Sequence, residues 1–259
     1  MYAPRSRLRT TTVNNMGVLL LALSGPMQAW GDSSRFTVRQ TRREPTKSGV
    51  IGLVAAAQGR DRGSELGDLC ALEFGVRIDQ PGVVMRDFQT ERPMNGKKPM
   101  PLSQRYYLAD AKFLVALGGP EEVLAQIEAA IMRPVWPLYL GRRCCPPDQP
   151  LVHSADGGPY GDVRTALRSE PWIASDWFKR RLELRGDAFP EIEVCCDARE
   201  GDVFEICSDL PLSFGEVRRY GQRNVTRFFV TNPDAPDTDD VEPSIPVPVP
   251  EGHDPMSFF

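Results

Sequence analysis

The apolar positions of this chain fall in short runs with clear punctuation. "GVLLLAL" (17–23) lies between Asn-Asn and Ser-Gly-Pro, which predicts a central strand covered on both faces. In "SGVIGLVAAAQG" (48–59), Val50, Leu53, Val54 and Ala57 recur at helical spacing, with Thr46 or Ser48 as cap and Gly59 as stop. A second short helix is expected over 64–71. "LEFGVRID" (72–79) alternates as a strand does, and "AKFLVAL" (111–117) reads as another. "PEEVLAQIEAAIMR" (120–133) has Pro at its start, acids in its first turn and Arg133 at its end. Its Val123, Leu124, Ile127, Ala130 and Ile131 share one helical face. "PVWPLYL" (134–140) offers a route to a fourth strand.

The order is strand, helix, strand, long insertion, strand, helix, strand. That is the split βαβ, ferredoxin-like pattern of an α+β domain, placed over 16–150. The insertion, about 80–107, is rich in Pro, Gly and Lys, and a connection of about thirty residues inside a domain is usually functional. A smaller β-rich region is expected over 151–232. The last stretch, 233–259, holds seven acidic residues, seven prolines and no Lys or Arg. Such a tail cannot bury enough apolar surface to offset chain entropy, so disorder is expected.

Composition sharpens the picture. At 259 residues and 41% hydrophobic, the chain can bury a substantial core. The net charge of −4 hides a basic body, because positions 1–232 carry 31 basic against 28 acidic residues. Arg5, Arg7 and Arg9 before an apolar run, with Ala29 after it, imitate a secretion signal. The run is only 18–23, shorter than the about 7–15 residues such a signal needs, so 1–15 is read as an extension. No stretch approaches the about 20 apolar residues of a membrane span.

The six cysteines include two adjacent pairs, Cys144–Cys145 and Cys195–Cys196, and no C-x-x-C. With His253 in the tail and His153 the other histidine, neither a zinc cage nor a Ser/His/Asp triad is indicated. Reduced, largely buried thiols fit better. "TKSG" (46–49) lacks the preceding glycine of a nucleotide-binding loop. No cofactor and no metal are expected.

What remains is basic and sited on connections. "RFTVRQTRREPTK" (35–47) carries five cations and one acid, enough to neutralise several phosphates or simply to form a solvated face. The insertion adds Arg86, Arg92, Lys97, Lys98 and Arg105, interleaved with Phe88, Met94, Met100, Tyr106 and Tyr107. Cations hold a nucleic-acid backbone while aromatic and apolar groups stack on unpaired bases; a hairpin packed on its own domain is the plainer reading. "YLGRRCCP" (139–146) sets Gly141 beside Arg142 and Arg143, a backbone that a phosphate could approach closely.

"LSGPMQAWG", "TRREPTKSGVIGLVAAAQG", "YYLADAKFLVAL" and "RPVWPLYLGRRCCP" occur in the order found in CasD-type subunits of the type I-E CRISPR Cascade complex. The chain resembles that family of RAMP proteins over about 17–150. The resemblance weakens after 150 and omits 1–15 and the tail.

It implies a non-catalytic, cytoplasmic subunit with a ferredoxin-like, RRM-related domain that caps the 5′ handle of CRISPR RNA (crRNA). A β-hairpin thumb from the insertion would reach over the RNA. Its partners would be the Cascade backbone and large subunits, with target DNA met through the assembled complex, and no membrane.

The expected RNA-binding set follows from that resemblance and from the basic connections. Arg35, Arg39, Arg42, Lys47, Arg142 and Arg143 would hold handle phosphates, with Ser48 and Gly141 also in the RNA-binding set. Gln28 and the amides near Gly25 would read base edges, and Trp30 would stack or, preferably, anchor its loop in the core. Arg86, Arg92, Lys97, Lys98 and Arg105 would guard the first spacer nucleotides.

The main alternative is a metal-independent endoribonuclease for precursor crRNA, using Tyr106, Tyr107, Lys112 or His153. A secreted disulfide protein and an interaction module using the acidic tail are further alternatives.

Overall fold

A computed structural model describes residues 16–31, 37–90, 92–95, 98, 101–155, 159–186, 191–232 and 234. The expected extension, 1–15, and the expected disordered tail, Asp234 apart, lie outside the described residues, as do Arg35, Lys97 and Met100. In chain order the elements are β1 (Met16–Ser24), β2 (Met27–Gln28), β3 (Val38–Arg39), α1 (Lys47–Ala57), α2 (Gly67–Cys70), β4 (Glu73–Gln80), β5 (Val83–Gln89) and β6 (Ser103–Ala109). Then come β7 (Lys112–Pro120), α3 (Glu121–Met132), β8 (Val152–His153), α4 (Val163–Ser169), α5 (Asp176–Arg185), β9 (Glu191–Asp197), β10 (Glu205–Ser213) and β11 (Arg219–Thr231).

Seven strands form one antiparallel sheet in the order β10-β11-β9-β4-β7-β1-β8. Side-chain alternation along the central strands sorts residues onto two cores. Leu19, Leu21 and Leu23 of β1, with Phe113, Val115 and Leu117 of β7, face a core completed by α1 and α3. Leu20, Leu114 and Ala116 face the opposite core, built with α4, α5 and Trp172. Apolar runs without polar alternation are the consequence of burial on both faces. The reading of 17–23 as a doubly covered strand is thus borne out.

The α1 cap is Thr46, whose hydroxyl accepts a hydrogen bond from the Gly49 amide; Ser48 already lies within the helix. The stretch 134–140 contains no strand, against expectation. Pro134 and Pro137 lack the amide hydrogens that a ladder requires, and the strand beside β1 is instead β8. The region after 150 contributes two helices, α4 and α5, as well as β8 at one edge of the sheet and β9, β10 and β11, which extend the other. The insertion folds as an antiparallel pair, β5 with β6, and β2 and β3 join the other edge of β6.

One buried ion pair fastens the second core to the sheet. Arg77 and Asp79 on β4 are fully buried, and the guanidinium grips the carboxylate in a fork of 2.7 and 2.8 Å. The remaining guanidinium hydrogens go to the carbonyls of Leu167, Glu170 and Pro171. Asp79 in turn accepts from the Ile173 amide, and its carbonyl accepts from the Trp172 indole. With every donor used, the pair fixes where α4 ends and where the chain turns to α5.

Arg77→Met strands the Asp79 carboxylate, so urea unfolding should show a loss of about 3–5 kcal/mol relative to the native chain.

Candidate nucleic-acid interface

The face of α1 turned away from the sheet is made of small residues, Gly49, Gly52, Ala55 and Ala56, and it floors an open groove of about 1250 Å³. One wall comes from the loop 136–143 and from Arg39 and Arg105 of the β3–β6 pair. The other comes from 60–62, Phe214, Arg218 and Tyr220. Among the described residues seven arginines line the groove, Arg39, Arg60, Arg62, Arg105, Arg142, Arg143 and Arg218, against a single acid, Asp61. Arg60 is held in a fork by Asp68. Among the described residues no carboxylate pairs with Arg39, Arg62, Arg143 or Arg218, all of which are exposed. Such a concave surface concentrates positive potential and attracts a polyanion.

Aromatic rings stand among these cations. Trp136 and Tyr220 are each 41% exposed, and Tyr139 and Phe214 also line the groove. Exposed rings beside guanidinium groups offer faces for unpaired bases. Arg142 lies 4.6 Å over the Tyr107 ring and donates to the Arg39 carbonyl at 2.9 Å, while its Nη1 is buried with no partner among the described residues.

Gly141 has φ of +90°, and a Cβ there would fall 1.9 Å from the Ala29 carbonyl oxygen. The glycine expected to admit a phosphate is thus needed for the close crossing of two loops. That crossing brings Arg142 and Arg143 to the groove.

The structure brings together part of the expected set: Arg39, Arg105, Gly141, Arg142 and Arg143, with Ser48 and Trp30 lining the same groove but buried. It places the others differently, for physical reasons. Gln28 is fully buried: its amide donates to the carbonyls of Leu23 and Ala111, and its oxygen accepts from the Trp30 indole. No edge remains to read a base. Trp30, 1% exposed, anchors its loop in the core, as preferred on sequence grounds, and has no free face for stacking. Gly25 is buried against the Pro146 carbonyl. The Ser48 hydroxyl is buried beside Thr46.

Lys47 is buried too. Its ammonium donates to the Leu72 carbonyl and to Asp197 at 3.0 Å, so it serves the fold and not a phosphate. Arg42 lies by Cys207 and Glu44, outside the groove lining. Arg86, Arg92 and Lys98 are exposed on the β5–β6 insertion and do not line the groove; Arg86 stacks on Phe88.

Sequence reasoning missed Arg60, Arg62, Trp136, Arg218 and Tyr220. The proline-flanked Trp136 carried a usable signal, since Pro134 and Pro137 already argued for an exposed loop. Arg218 and Tyr220 carried none, because only the sheet brings β11 to α1. The nuclease candidates are not gathered: Tyr106, Tyr107, Lys112 and His153 do not line the groove. His153 pairs with buried Glu170 at 3.1 Å.

A family model described as CRISPR-associated protein (Cas_Cas5) matches residues 18–226. The chain belongs to the Cas5 family. Its relatives include the CRISPR system Cascade subunit CasD of Escherichia coli K12, 38% identical over an alignment of 153 positions that covers 51% of this chain and 68% of CasD. A solved structure described as a Cas protein superposes with a TM-score of 0.64 at 34% identity, covering 83% of this chain and 95% of that one. A chain of a CRISPR RNA-guided surveillance complex gives a TM-score of 0.65 at 34% identity, covering 84% and 91%. Among the described residues no helix is long and apolar enough to cross a membrane, and no cluster of three metal-ligating side chains occurs.

Buried and exposed cations should separate in an unfolding experiment. Lys47→Met is expected to cost about 3 kcal/mol, since it breaks a buried pair, whereas Arg143→Ala should stay within about 0.5 kcal/mol of the parent.

Proposed function

We propose that this Cas5 protein is a non-catalytic crRNA-binding subunit of a Cascade-type surveillance complex, holding the 5′ handle of the crRNA in the arginine groove. The observation that carries this reading is the groove itself, where guanidinium groups from three connections and from the β3–β6 pair line one surface with a single carboxylate among the described lining residues. Similarity to CasD and to a surveillance-complex chain supports the assignment to Cascade. Backbone and large Cascade subunits are the expected partners, in the cytoplasm, and target DNA is met through the assembly.

The same reading gives the fold a finer description. The order β8-β1-β7-β4, all antiparallel with α1 and α3 on one face, supports a ferredoxin-like RAMP domain over about 16–150, its fourth strand, β8 at 152–153, lying just past that bound. The β5–β6 pair supports a thumb: Val83, Val84 and Phe88 are 63%, 55% and 48% exposed beside Arg86, an apolar and cationic surface suited to RNA or a neighbouring subunit. An unpaired, bent handle would meet phosphate contacts from Arg39, Arg62, Arg143 and Arg218, and stacking from Trp136 and Tyr220.

Salt titration of handle-RNA binding tests the groove. Each single-stranded phosphate contact adds about 0.7 to the slope of log Kd against log salt, so Arg143→Ala with Arg218→Ala should flatten that slope by about 1.4. An unchanged affinity and slope in this double variant would remove the groove from RNA binding. Precursor repeat RNA incubated with the protein in chelator should stay intact; specific cleavage lost in His153→Ala would favour the endoribonuclease reading.

A further inference from the structure

The loop that carries Arg142 and Arg143 continues directly into two adjacent cysteines. Cys144 is exposed and Cys145 buried, yet their sulfurs lie 3.9 Å apart on the same side of the chain. The Cys144 sulfur is also 3.6 Å from the Tyr107 hydroxyl, the ring on which Arg142 stacks. Burial and the neighbouring Cys144 push the Cys145 thiol up to about 12. Neither sulfur is in a disulfide.

The second adjacent pair shows that this juxtaposition is not a consequence of sequence. Cys195 and Cys196 occupy consecutive positions of β9, where side chains alternate between faces. Cys195 packs with Cys207 and Val225, while Cys196 lies beside Gly75 under α4. Their sulfurs are therefore held on opposite sides of the sheet, and burial pushes the thiols up to about 12 and about 11.

The 144–145 loop is itself well fixed. The Leu140 amide donates to the Cys145 carbonyl at 2.7 Å, the Cys145 amide to the Arg142 carbonyl at 2.9 Å, and the Ala29 amide to the Leu140 carbonyl at 3.1 Å. A direct disulfide would require the sulfurs to close from 3.9 Å to about 2.05 Å within this turn. A large, soft atom bridging both sulfurs fits the observed spacing with less movement.

We propose that Cys144 and Cys145 form a chelating dithiol that takes one thiophilic trivalent arsenic centre, and that its occupation disturbs the Tyr107–Arg142 stack at the groove. With an aryl arsenic oxide the step is a condensation. Two S–As bonds form, the As–O bond breaks, and the two thiol protons leave with the oxygen as one water, without change of oxidation state. Because both protons depart in the reaction, a raised thiol pKa slows loading but does not forbid it. The bridging group takes the space by the Tyr107 hydroxyl, so the ring and the guanidinium above it must shift. The effect on RNA rests on the function proposed above, whereas the dithiol does not.

Phenylarsine oxide, added at one equivalent to the reduced full-length protein, tests the site by intact mass. The expected product carries one phenylarsenic group, mapped by proteolysis to the peptide holding 144–145, stable to a monothiol and removed by 2,3-dimercaptopropanol. Cys144→Ser, a change at an exposed position that should not compromise folding, is expected to take none under the same conditions. A chain that stays unlabelled, or an adduct that persists in Cys144→Ser or maps to Cys195–Cys196, overturns the site.

Loaded protein should bind handle RNA several-fold more weakly than untreated protein and recover on dithiol treatment. Equal affinity in the loaded and unloaded states overturns the coupling. Failure of untreated protein to bind RNA would instead count against the proposed function, and the mass measurement would still decide the dithiol.

Discussion

A buried cross-brace of two cations and two acids holds the groove in shape. The Lys47 ammonium meets Asp197, Arg223 reaches both Asp197 and Asp209, and Asp209 accepts from the Lys47 amide at the first residue of α1. Asp197 also accepts from the Phe74 amide on β4. Four elements, α1, β9, β10 and β11, are thereby tied at one point, along with the start of β4. The floor of the groove rides on α1, and Arg218, just before β11, and Tyr220, at its start, enter the groove. Charges buried together and fully hydrogen-bonded are rigid, because any displacement exposes an unpaired ion to a low-dielectric surrounding.

That division of labour separates two kinds of cation in one basic body. Lys47, Arg77 and Arg223 satisfy acids inside the fold, and their charges are neutralised there. Arg39, Arg62, Arg143 and Arg218 remain exposed with no carboxylate paired to them among the described residues, so their charge is available to a polyanion. Arg142 stands between the two groups. It is positioned by the Tyr107 ring and the Arg39 carbonyl, yet keeps one nitrogen without a partner among the described residues. Guanidinium forks suit phosphate oxygens, and fixing one of them from behind reduces the entropy lost on binding.

Packing explains why the sheet can support such a site. Both faces of β1 and β7 are covered, and the surface of α1 toward the groove carries small residues, of which Gly49, Gly52 and Ala56 stay partly exposed. Its small residues let the Trp30 loop and Phe214 approach: a Cβ on Gly49 would come within 2.8 Å of the Trp30 ring. The groove is thus a consequence of close backbone approach and of loops that cross at Gly141, not of a gap in the core.

Much of the scaffold was legible along the chain. Apolar runs at 17–23 and 111–117 marked strands because burial on both faces demands them, and the 3.6-residue spacing at 48–59 and 120–133 marked helices. Four quoted stretches identified the family, since they combine elements and loops in a fixed order. Residue types on connections also predicted a basic surface. What local pattern could not reveal is which charge meets which partner. Lys47 and Arg143 look alike in sequence, yet one lies beside Asp197 and the other faces solvent, because pairing across 150 residues of chain is settled by sheet order. Likewise Cys144–Cys145 and Cys195–Cys196 are the same dipeptide. A turn sets one pair of sulfurs side by side and a strand sets the other pair apart, and that distinction belongs to backbone geometry.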